Sequence, residues 1–500
     1  MLEARKRPRG LAASLVLAAA ALGFGAAAAN AAIGFAAAGS PYTVPFAPTA
    51  IVTADLDGDG KLDLAAVGQT TFAAGSVAVL LGDGSGRFHP PPAGPVGTTG
   101  AGPQGIAAAD FNGDGRLDLA VANAADNTVS VLLGDGRGHF TSAPGSPLAV
   151  GASPQKIAAA DLNGDGRPDI VTVNRMSNDL SVLLNAGAGA FAAHVDYPVG
   201  PGAQGPFDVA IGDINGDGKP DLVSANRDSS SVSVLMGNGS GTFAPALSSP
   251  FDARGAALSA GPTAVTLADL NLDRRLDVAT ANFSSKNLSV LLATGSSAGL
   301  ESLAPGSPFP AGDASGDTPA AIAASDLDAD GNPDLITANG GSRRVAFFSG
   351  VGNGTFAAPV NFPVSSTGDP VALAVGDFNG DAQPDIAVAS ADSKIAVMLN
   401  TNVSSVGLTP LAIDFGARRV DAPTQEQTAT VTNSGTGLLK ISSTSIGGAD
   451  TTDFSIAGDS CSGRNLLVGA SCSIDLHHAG TALGLRTAEV VVVDNAPDSP

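Results

Sequence analysis

Short apolar runs alternate with turns along the chain, and this pattern predicts β-strands rather than helices. One unit shows the pattern clearly, with apolar runs at residues 157–160, 169–174 and 180–184. A Gly-rich turn then ends at Phe191 and leads into a fourth, looser strand. Short runs rich in Val, Ile and Leu that are broken by Gly and Asn are typical of strands. Four strands in one unit correspond to one blade of a β-propeller.

An acidic loop lies between the first and second strands of each unit. Seven such loops are present, and their first residues are Asp55, Asp110, Asp161, Asp213, Asp269, Asp326 and Asp377. These starting points are separated by 55, 51, 52, 56, 57 and 51 residues. A steady period of this length predicts a propeller or another repeat array. The sequence therefore predicts an all-β fold for the repeated part of the chain.

Each acidic loop carries oxygen-bearing side chains at positions 1, 3, 5 and 9. Gly at positions 4 and 6 of the clearest copies allows a tight curl, because Gly tolerates positive φ. Ca²⁺ takes six to eight oxygen ligands at roughly 2.3–2.6 Å, and four side chains, the position-7 carbonyl and a water would supply them. An EF-hand begins similarly but requires Glu at position 12. No loop has an acidic residue there, and a predicted strand follows where an EF-hand has a helix.

A second motif, a Gly-rich turn that ends in Phe, recurs in step with the loops at residues 82–88, 134–140, 237–243 and 352–356. Together the loops and turns resemble the FG-GAP/VCBS family, which forms the seven-bladed propeller of integrin α-subunit heads and occurs in many secreted bacterial proteins. The resemblance covers about residues 33–400 and implies a seven-bladed β-propeller. It also implies Ca²⁺ in the loop between the first two strands of each blade.

The resemblance implies four side-chain ligands in each loop. In chain order they are Asp55, Asp57, Asp59 and Asp63; Asp110, Asn112, Asp114 and Asp118; Asp161, Asn163, Asp165 and Asp169; Asp213, Asn215, Asp217 and Asp221; Asp269, Asn271, Asp273 and Asp277; Asp326, Asp328, Asp330 and Asp334; and Asp377, Asn379, Asp381 and Asp385.

The last three loops depart from the pattern. The fifth has Leu272 and Arg274 where Gly is expected, and positive φ is costly for Arg. Occupancy of this loop is left open, and one hypothesis is that the Arg274 guanidinium takes the place of the metal. The sixth loop has Ala329 and the seventh has Ala382 in place of Gly. We expect these two loops to bind Ca²⁺, but more weakly.

The seventh unit stops at residue 400 without a Gly-rich turn or its Phe. The missing piece is found near the other end, because residues 34–41 resemble residues 138–144. We therefore predict that residues 33–45 supply the outer strand of the last blade. Such closure would remove exposed strand edges from the ring.

The period is lost after a polar linker at residues 401–406. Residues 407–500 contain alternating strands and resemble bacterial Ig-like domains of the choice-of-anchor D and ASH types. The matching residues are 414–416, 432–435, 453–454, Cys461 and 469–472. The resemblance implies a β-sandwich with one more strand after residues 494–497. Either the sequence is a fragment, or the sandwich has an open edge.

The first 31 residues have the order of a secretory signal: a basic start, an apolar stretch at residues 11–22 and a small-residue cleavage site at residues 29–31. A membrane anchor is the alternative, but the apolar run is shorter than the roughly 20 residues that a span needs. No later segment is long and apolar enough to span a membrane.

Cys461 and Cys472 are the only cysteines. An even count in an exported chain predicts one disulfide, with a free pair as the alternative.

The chain is strongly acidic, with 47 Asp and Glu against 25 Lys and Arg and a net charge of −22. This balance argues against nucleic-acid binding, which needs basic residues to neutralise phosphates. The predicted loop ligands include 23 of the 47 acidic residues. This concentration favours cation sites over a merely solvated acidic surface.

The sequence contains no Cys–His pair and no H-E-x-x-H helix. We therefore expect an exported, non-enzymatic, calcium-stabilised module that acts in adhesion, scaffolding or ligand binding at the cell surface. Its partner would be a protein or a glycan. The alternative is a secreted polysaccharide lyase or hydrolase on a propeller scaffold. Two Tyr and no Trp leave few aromatic platforms for sugars, which weakens both the enzyme and the lectin hypotheses.

Overall fold

The computed structural model describes residues 11–17, 33–71, 74–92, 97–254, 259–293, 299–312, 316–418, 425–479 and 484–496. The described chain is built from β-strands, and its single helical element is the 3₁₀ turn Thr451–Asp453. It divides into two compact units, one made mainly of residues 35–400 and the other mainly of residues 401–500. None of the described segments forms a helix with the length and apolarity of a membrane span. The predicted secretory signal lies outside the described residues except for the strand Leu11–Leu17.

The first unit contains seven antiparallel sheets, one for each repeat, and each sheet is a blade. The innermost strands are Pro48–Ala54, Pro103–Ala109, Pro154–Ala160, Pro206–Gly212, Pro262–Ala268, Asp317–Ser325 and Pro370–Gly376. The second strands are Asp63–Thr71, Asp118–Asn123, Asp169–Asn174, Asp221–Asn226, Asp277–Asn282, Asp334–Gly341 and Asp385–Ser390. The third strands are Ala74–Gly82, Thr128–Gly134, Asp179–Leu183, Ser231–Gly237, Asn287–Ala293, Arg344–Phe348 and Lys394–Asn400.

The fourth, outer strand of most blades is split into two short pieces that both pair with the third strand. In the first six blades the pieces are Phe88–His89 and Thr98–Thr99, Phe140–Ser142 and Leu148–Ala149, Val195–Pro198, Phe243–Pro245 and Phe251–Asp252, Leu300–Leu303 and Phe309–Pro310, and Val360–Pro363. The third blade also carries a small hairpin of Asn185–Gly187 with Ala190–Phe191.

The seventh blade takes its outer strand from the N-terminal part of the chain. Phe35–Ala37 and Tyr42–Thr43 both pair with Lys394–Asn400, with Phe35 opposite Asn400 and Tyr42 opposite Ile395. The innermost strand of each blade contacts that of the next, and the innermost strand of the seventh contacts that of the first. The seven blades therefore form a closed ring, as expected for a seven-bladed propeller.

The core of the propeller lies between the blades. All six residues of Asp118–Asn123 are buried, which explains why second strands read as nearly continuous apolar runs rather than as an alternating pattern. The Phe residues of the Gly-rich turns pack at the same interfaces. Phe88 of the first blade meets Phe378 of the seventh edge to face, with ring centroids 5.5 Å apart. Each blade thus buries its faces against its neighbours.

The second unit has two sheets around one apolar core. In spatial order, one sheet contains Ala412–Arg418, Leu11–Leu17, Arg486–Asp494, Leu439–Gly447 and Arg464–Leu466. The other contains Val406–Thr409, Gln425–Asn433, Ser471–His478 and Phe454–Asp459. Leu11–Leu17 runs antiparallel to Ala412–Arg418 and parallel to Arg486–Asp494. Cys461 and Cys472 form a disulfide, which confirms the predicted pairing.

Candidate metal centres in the acidic loops

The first residue of each acidic loop organises the curl of the backbone. In the first loop, Asp55 accepts hydrogen bonds from the backbone N–H groups of Gly58 and Gly60, at 2.7 and 2.9 Å. Both glycines have positive φ, 79° and 83°. Positive φ is what allows the chain to wrap around the Asp55 carboxylate, so the predicted role of Gly at positions 4 and 6 agrees with the geometry.

The curl brings acidic side chains together. One carboxylate oxygen from each of Asp55, Asp57 and Asp63 lies within 4.8 Å of the others, and the same holds for Asp326, Asp328 and Asp334 in the sixth loop. The remaining five loops have Asn at position 3, so the same three positions cannot form a three-carboxylate group there. A donor set made only of oxygens suits a hard cation. These acidic clusters could therefore bind a metal ion.

The ninth residue of the loop also ties the loop to the third strand. Asp63 is fully buried and accepts hydrogen bonds from the N–H groups of Leu56 and Gly82, at 2.8 and 2.7 Å. The equivalent carboxylates make the same two contacts in the other six loops: Asp118, Asp169, Asp221, Asp277, Asp334 and Asp385. The sequence pattern predicts only a metal ligand at this position, and the structural role of the ninth residue is not visible in that pattern.

Burial makes these ninth-position carboxylates harder to ionise. Burial raises the pKa of Asp63 to about 6 and that of Asp385 to about 7, although the two backbone hydrogen bonds to each group act in the opposite direction. The neighbouring loop carboxylates raise both pKa values further. A nearby cation favours the ionised form of a carboxylate. The electrostatics of the loop are thus suited to a positive ion beside the buried group.

The fifth residue of the loop pairs with a basic side chain at position 7. Asp59 lies 2.9 Å from the Lys61 ammonium, and both side chains are substantially exposed. Equivalent pairs occur in four other loops: Asp114 with Arg116, Asp165 with Arg167, Asp217 with Lys219, and Asp273 with Arg275. Exposed ion pairs contribute only about 0–1 kcal/mol, so this pairing does not prevent the position-5 carboxylate from acting as a ligand. The ligand pattern in the sequence predicts a role only for the backbone carbonyl of position 7.

The fifth loop keeps the same backbone path despite its substitutions. Leu272 and Arg274 adopt positive φ, 59° and 70°. The N–H of Arg274 donates to Asp269 at 2.7 Å, as a Gly does in the first loop. Among the described residues, however, the Arg274 guanidinium forms no ion pair with a loop carboxylate. The nearby cation is instead that of Arg275, 3.5 Å from Asp273, so the structure does not support the hypothesis that Arg274 replaces the metal.

The acidic loops also connect neighbouring blades. The carbonyl of Phe378, at position 2 of the seventh loop, accepts a hydrogen bond from the N–H of Gly86 in the first blade at 2.8 Å. Equivalent bonds join Phe111 to Gly189, Leu162 to Gly241 and Leu270 to Gly354. Each of these bonds links a loop to the Gly-rich turn of the next blade. The two repeated motifs of the sequence therefore meet at the blade interfaces.

Solved structures with similar folds include several β-propeller-like proteins. A candidate 6-phosphogluconolactonase from Bacteroides fragilis is 16% identical with a TM-score of 0.51, covering 68% of this chain and 91% of its own. A periplasmic gluconolactonase from Pseudomonas aeruginosa is 18% identical with a TM-score of 0.46, covering 63% and 86%. An Agrocybe aegerita lectin that recognises non-reducing terminal N-acetylglucosamine is 18% identical with a TM-score of 0.42, covering 74% and 99%. At these identities the likeness concerns the fold alone.

Comparison with curated proteins gives no match. The family model described as the FG-GAP-like repeat matches residues 55–121, 110–172, 161–224, 213–280 and 326–388. The first four copies overlap one another, and the five together cover 289 of the 500 residues. None of them reaches residues 401–500, so the Ig-like assignment of that stretch stays a prediction. Each matched copy runs from one acidic loop into the second strand of the next blade. Because the matches cover more than half of the chain, the chain belongs to the family of FG-GAP-like repeat proteins.

Proposed function

We propose that this chain is an exported calcium-binding propeller that serves as a binding module at the cell surface. The observation that carries the proposal is the convergence of carboxylate oxygens from Asp55, Asp57 and Asp63 within 4.8 Å in a loop of an FG-GAP-like repeat. The position-7 carbonyl and water would complete the oxygen set that Ca²⁺ requires. The same ligand positions in the other loops would hold further ions.

Calcium in these loops would have a structural role. Each loop gathers like charges that repel one another, and in four of the loops a backbone carbonyl accepts a hydrogen bond from the neighbouring blade. A cation bound only by the folded loop stabilises the fold by mass action, by about 2.7 kcal/mol per site at a free concentration one hundred times Kd. Bound calcium would therefore strengthen the interfaces between blades as well as the loops.

Export and surface binding complete the proposal. The predicted secretory signal supports export, and the disulfide between Cys461 and Cys472 is the kind of bond that persists in oxidising compartments. The two-sheet unit after residue 401 supports the expectation of an appended Ig-like sandwich. Neither feature identifies the partner, which we propose to be a protein or a glycan.

Urea unfolding in saturating Ca²⁺, in saturating Mg²⁺ and in excess EDTA tests the calcium proposal. We expect the highest unfolding midpoint in Ca²⁺. The Asp57→Ala variant removes a predicted ligand that is not fully buried, and it should reduce the difference between Ca²⁺ and EDTA. Asp83→Ala is the matched control, because Asp83 is an exposed acidic residue of the adjacent Gly-rich turn that bonds Ser85.

Two outcomes would contradict the proposal. The first is an unfolding midpoint that does not change between Ca²⁺ and EDTA. The second is an equal loss of calcium-dependent stability in Asp57→Ala and Asp83→Ala, because a diffuse effect of negative charge would then explain the result without any loop site.

A further inference from the structure

The end of the central channel opposite the acidic loops has a pocket of about 330 Å³. In all seven blades a Pro lies seven residues before the first Asp of the loop, as Pro154 precedes Asp161. The residue after this Pro lines the pocket in every blade. The innermost strand therefore begins at the pocket and ends at the acidic loop. A pocket of this volume is within the usual range for small-molecule sites.

An arginine that contacts two aromatic rings lines this pocket. The Arg227 guanidinium carbon lies 5.2 Å from the centroid of the Phe207 ring and 5.4 Å from that of the Phe283 ring. All three side chains line the pocket. These two cation–π contacts restrict the position of the guanidinium beside the pocket. A planar guanidinium held in this way is preorganised for a carboxylate.

No carboxylate of the described chain neutralises Arg227 at ion-pair distance. Arg175, which occupies the same position after the second strand of the preceding blade, is paired with Asp228 at 3.1 Å. Arg227 has no such partner among the described residues, although the protein carries a net charge of −22. In so acidic a protein, a preorganised arginine left without a partner in a pocket indicates a site for an external anion.

A second basic side chain, Lys156, lines the same pocket. The Lys156 ammonium donates to the Thr49 carbonyl at 3.3 Å. Burial lowers the pKa of Lys156, and the charge of Asp208 in the next blade opposes that shift. Asp208 accepts hydrogen bonds from the N–H groups of Val209 and Val265, both at 2.9 Å. The charge of Asp208 therefore acts on Lys156, and Arg227 is the pocket cation that the described carboxylates leave without an ion pair.

Polar groups that suit hydroxyls surround the two cations. The Gln104 amide lines the pocket and makes no side-chain hydrogen bond to the described part of the chain. The Gln155 amide nitrogen donates to Ser153, which leaves its oxygen available as an acceptor. Thr49 and Thr263 also line the pocket, and their hydroxyls donate to backbone carbonyls and keep acceptor capacity. We propose that this pocket binds a small polyhydroxylated carboxylic acid, with the carboxylate on Arg227 and the hydroxyls on the amides and threonines.

Three six-membered-ring compounds separate the parts of this proposal. Quinate carries both a carboxylate and hydroxyls, cyclohexanecarboxylate carries the carboxylate alone, and myo-inositol carries hydroxyls alone. Isothermal titration of the full chain, with the same saturating Ca²⁺ in both solutions, measures each affinity. We expect quinate to bind at least tenfold more tightly than either of the other two. Equal binding of cyclohexanecarboxylate or of myo-inositol would overturn the assignment, as would the absence of quinate binding.

Two variants locate the binding. Arg227→Gln should weaken quinate at least tenfold, whereas Arg175→Gln, the control at the same position of the preceding blade, should change it less than twofold. Phe283→Leu keeps apolar volume at a partly exposed position but removes one of the two aromatic contacts of Arg227, and it should weaken quinate binding several-fold. Circular dichroism verifies that each variant is folded. Unchanged affinity in a folded Arg227→Gln or Phe283→Leu protein would place the ligand elsewhere and refute the proposal.

The inference goes beyond the proposed calcium function and rests on it only in treating the chain as a binding module. Failure of the two ideas can be told apart. Calcium-dependent unfolding reports on the acidic loops, while the quinate titration reports on the opposite end of the channel.

Discussion

Substitutions at the sixth position of the acidic loop directly test how much backbone strain lowers the stability of the protein. Gly60 and Ala382 occupy this position in the first and seventh loops, with φ of 83° and 70°. An added Cβ at Gly60 would meet no atom within 4 Å, so Gly60→Ala introduces strain without a clash. The reverse change, Ala382→Gly, removes one methyl group and relieves the same strain. The two substitutions should therefore shift stability in opposite directions.

The expected magnitude follows from two opposing effects. An L-residue in the left-handed region costs roughly 1–2 kcal/mol. Ala also restricts the unfolded chain relative to Gly, which offsets roughly 0.4–1 kcal/mol of that cost. Gly60→Ala should then lower the free energy of unfolding by about 0.5–1 kcal/mol, and Ala382→Gly should raise it by a similar amount. Urea midpoints at constant slope measure both changes.

Gly145→Ala is the matched control, because Gly145 has the same φ of 83° and open space around it but lies outside the acidic loops. Its cost should be the same in Ca²⁺ and in EDTA. Gly60→Ala should cost more in Ca²⁺ than in EDTA, since the N–H of Gly60 helps to position the Asp55 carboxylate. A stabilised Gly60→Ala protein, or a destabilised Ala382→Gly protein, would refute the reasoning.

Two further predictions concern the second unit. Replacing Cys461 and Cys472 together by Ser should lower the free energy of unfolding of this unit by roughly 2–3 kcal/mol, because the disulfide closes a loop with a sequence separation of 11. Urea unfolding of this unit, monitored by limited proteolysis, measures the change, and an unchanged unfolding midpoint would contradict the prediction. A chain that starts at residue 32, which is what removal of the predicted secretory signal would leave, lacks Leu11–Leu17 and its pairing with Ala412–Arg418 and Arg486–Asp494. Its second unit should become protease-sensitive at a lower urea concentration than in the full chain, while the urea concentration at which the blades are cleaved stays the same. If the second unit is cleaved at the same urea concentration in both chains, this strand adds no stability.

The sequence predicts the propeller well because the information needed is local. The Asp and Gly residues of each loop curl the chain within nine residues, and the same signal recurs in each blade. Closure of the ring could also be anticipated, since residues 34–41 resemble a turn that the last repeat lacks. The position-7 basic residues were visible too, but their pairing with position 5 depends on side-chain geometry that a ligand pattern does not contain.

Other features could not be derived because they depend on contacts between distant segments. Arg227 contacts Phe207 of its own blade and Phe283 of the next blade. The buried hydrogen bonds of Asp63 reach Gly82, which is 19 residues away at the end of the third strand. The only sequence trace of the pocket is the Pro seven residues before each loop. That Pro marks where the innermost strand begins, but it does not show that the following residue lines a pocket.

The arrangement of each innermost strand separates the two candidate sites. Gln155 lines the pocket and Asp161 opens the acidic loop of the same blade. The six residue steps of extended chain from Gln155 to Asp161 span about 20 Å. Effects at sites farther apart than about 7–10 Å usually add when no partner is shared. The acidic loops therefore fix the ring by bridging blades at one end, and the pocket at the other end is free to differ from blade to blade. This separation explains why the loop ligands repeat almost unchanged while Gln104, Lys156 and Phe207 are each peculiar to one or two blades.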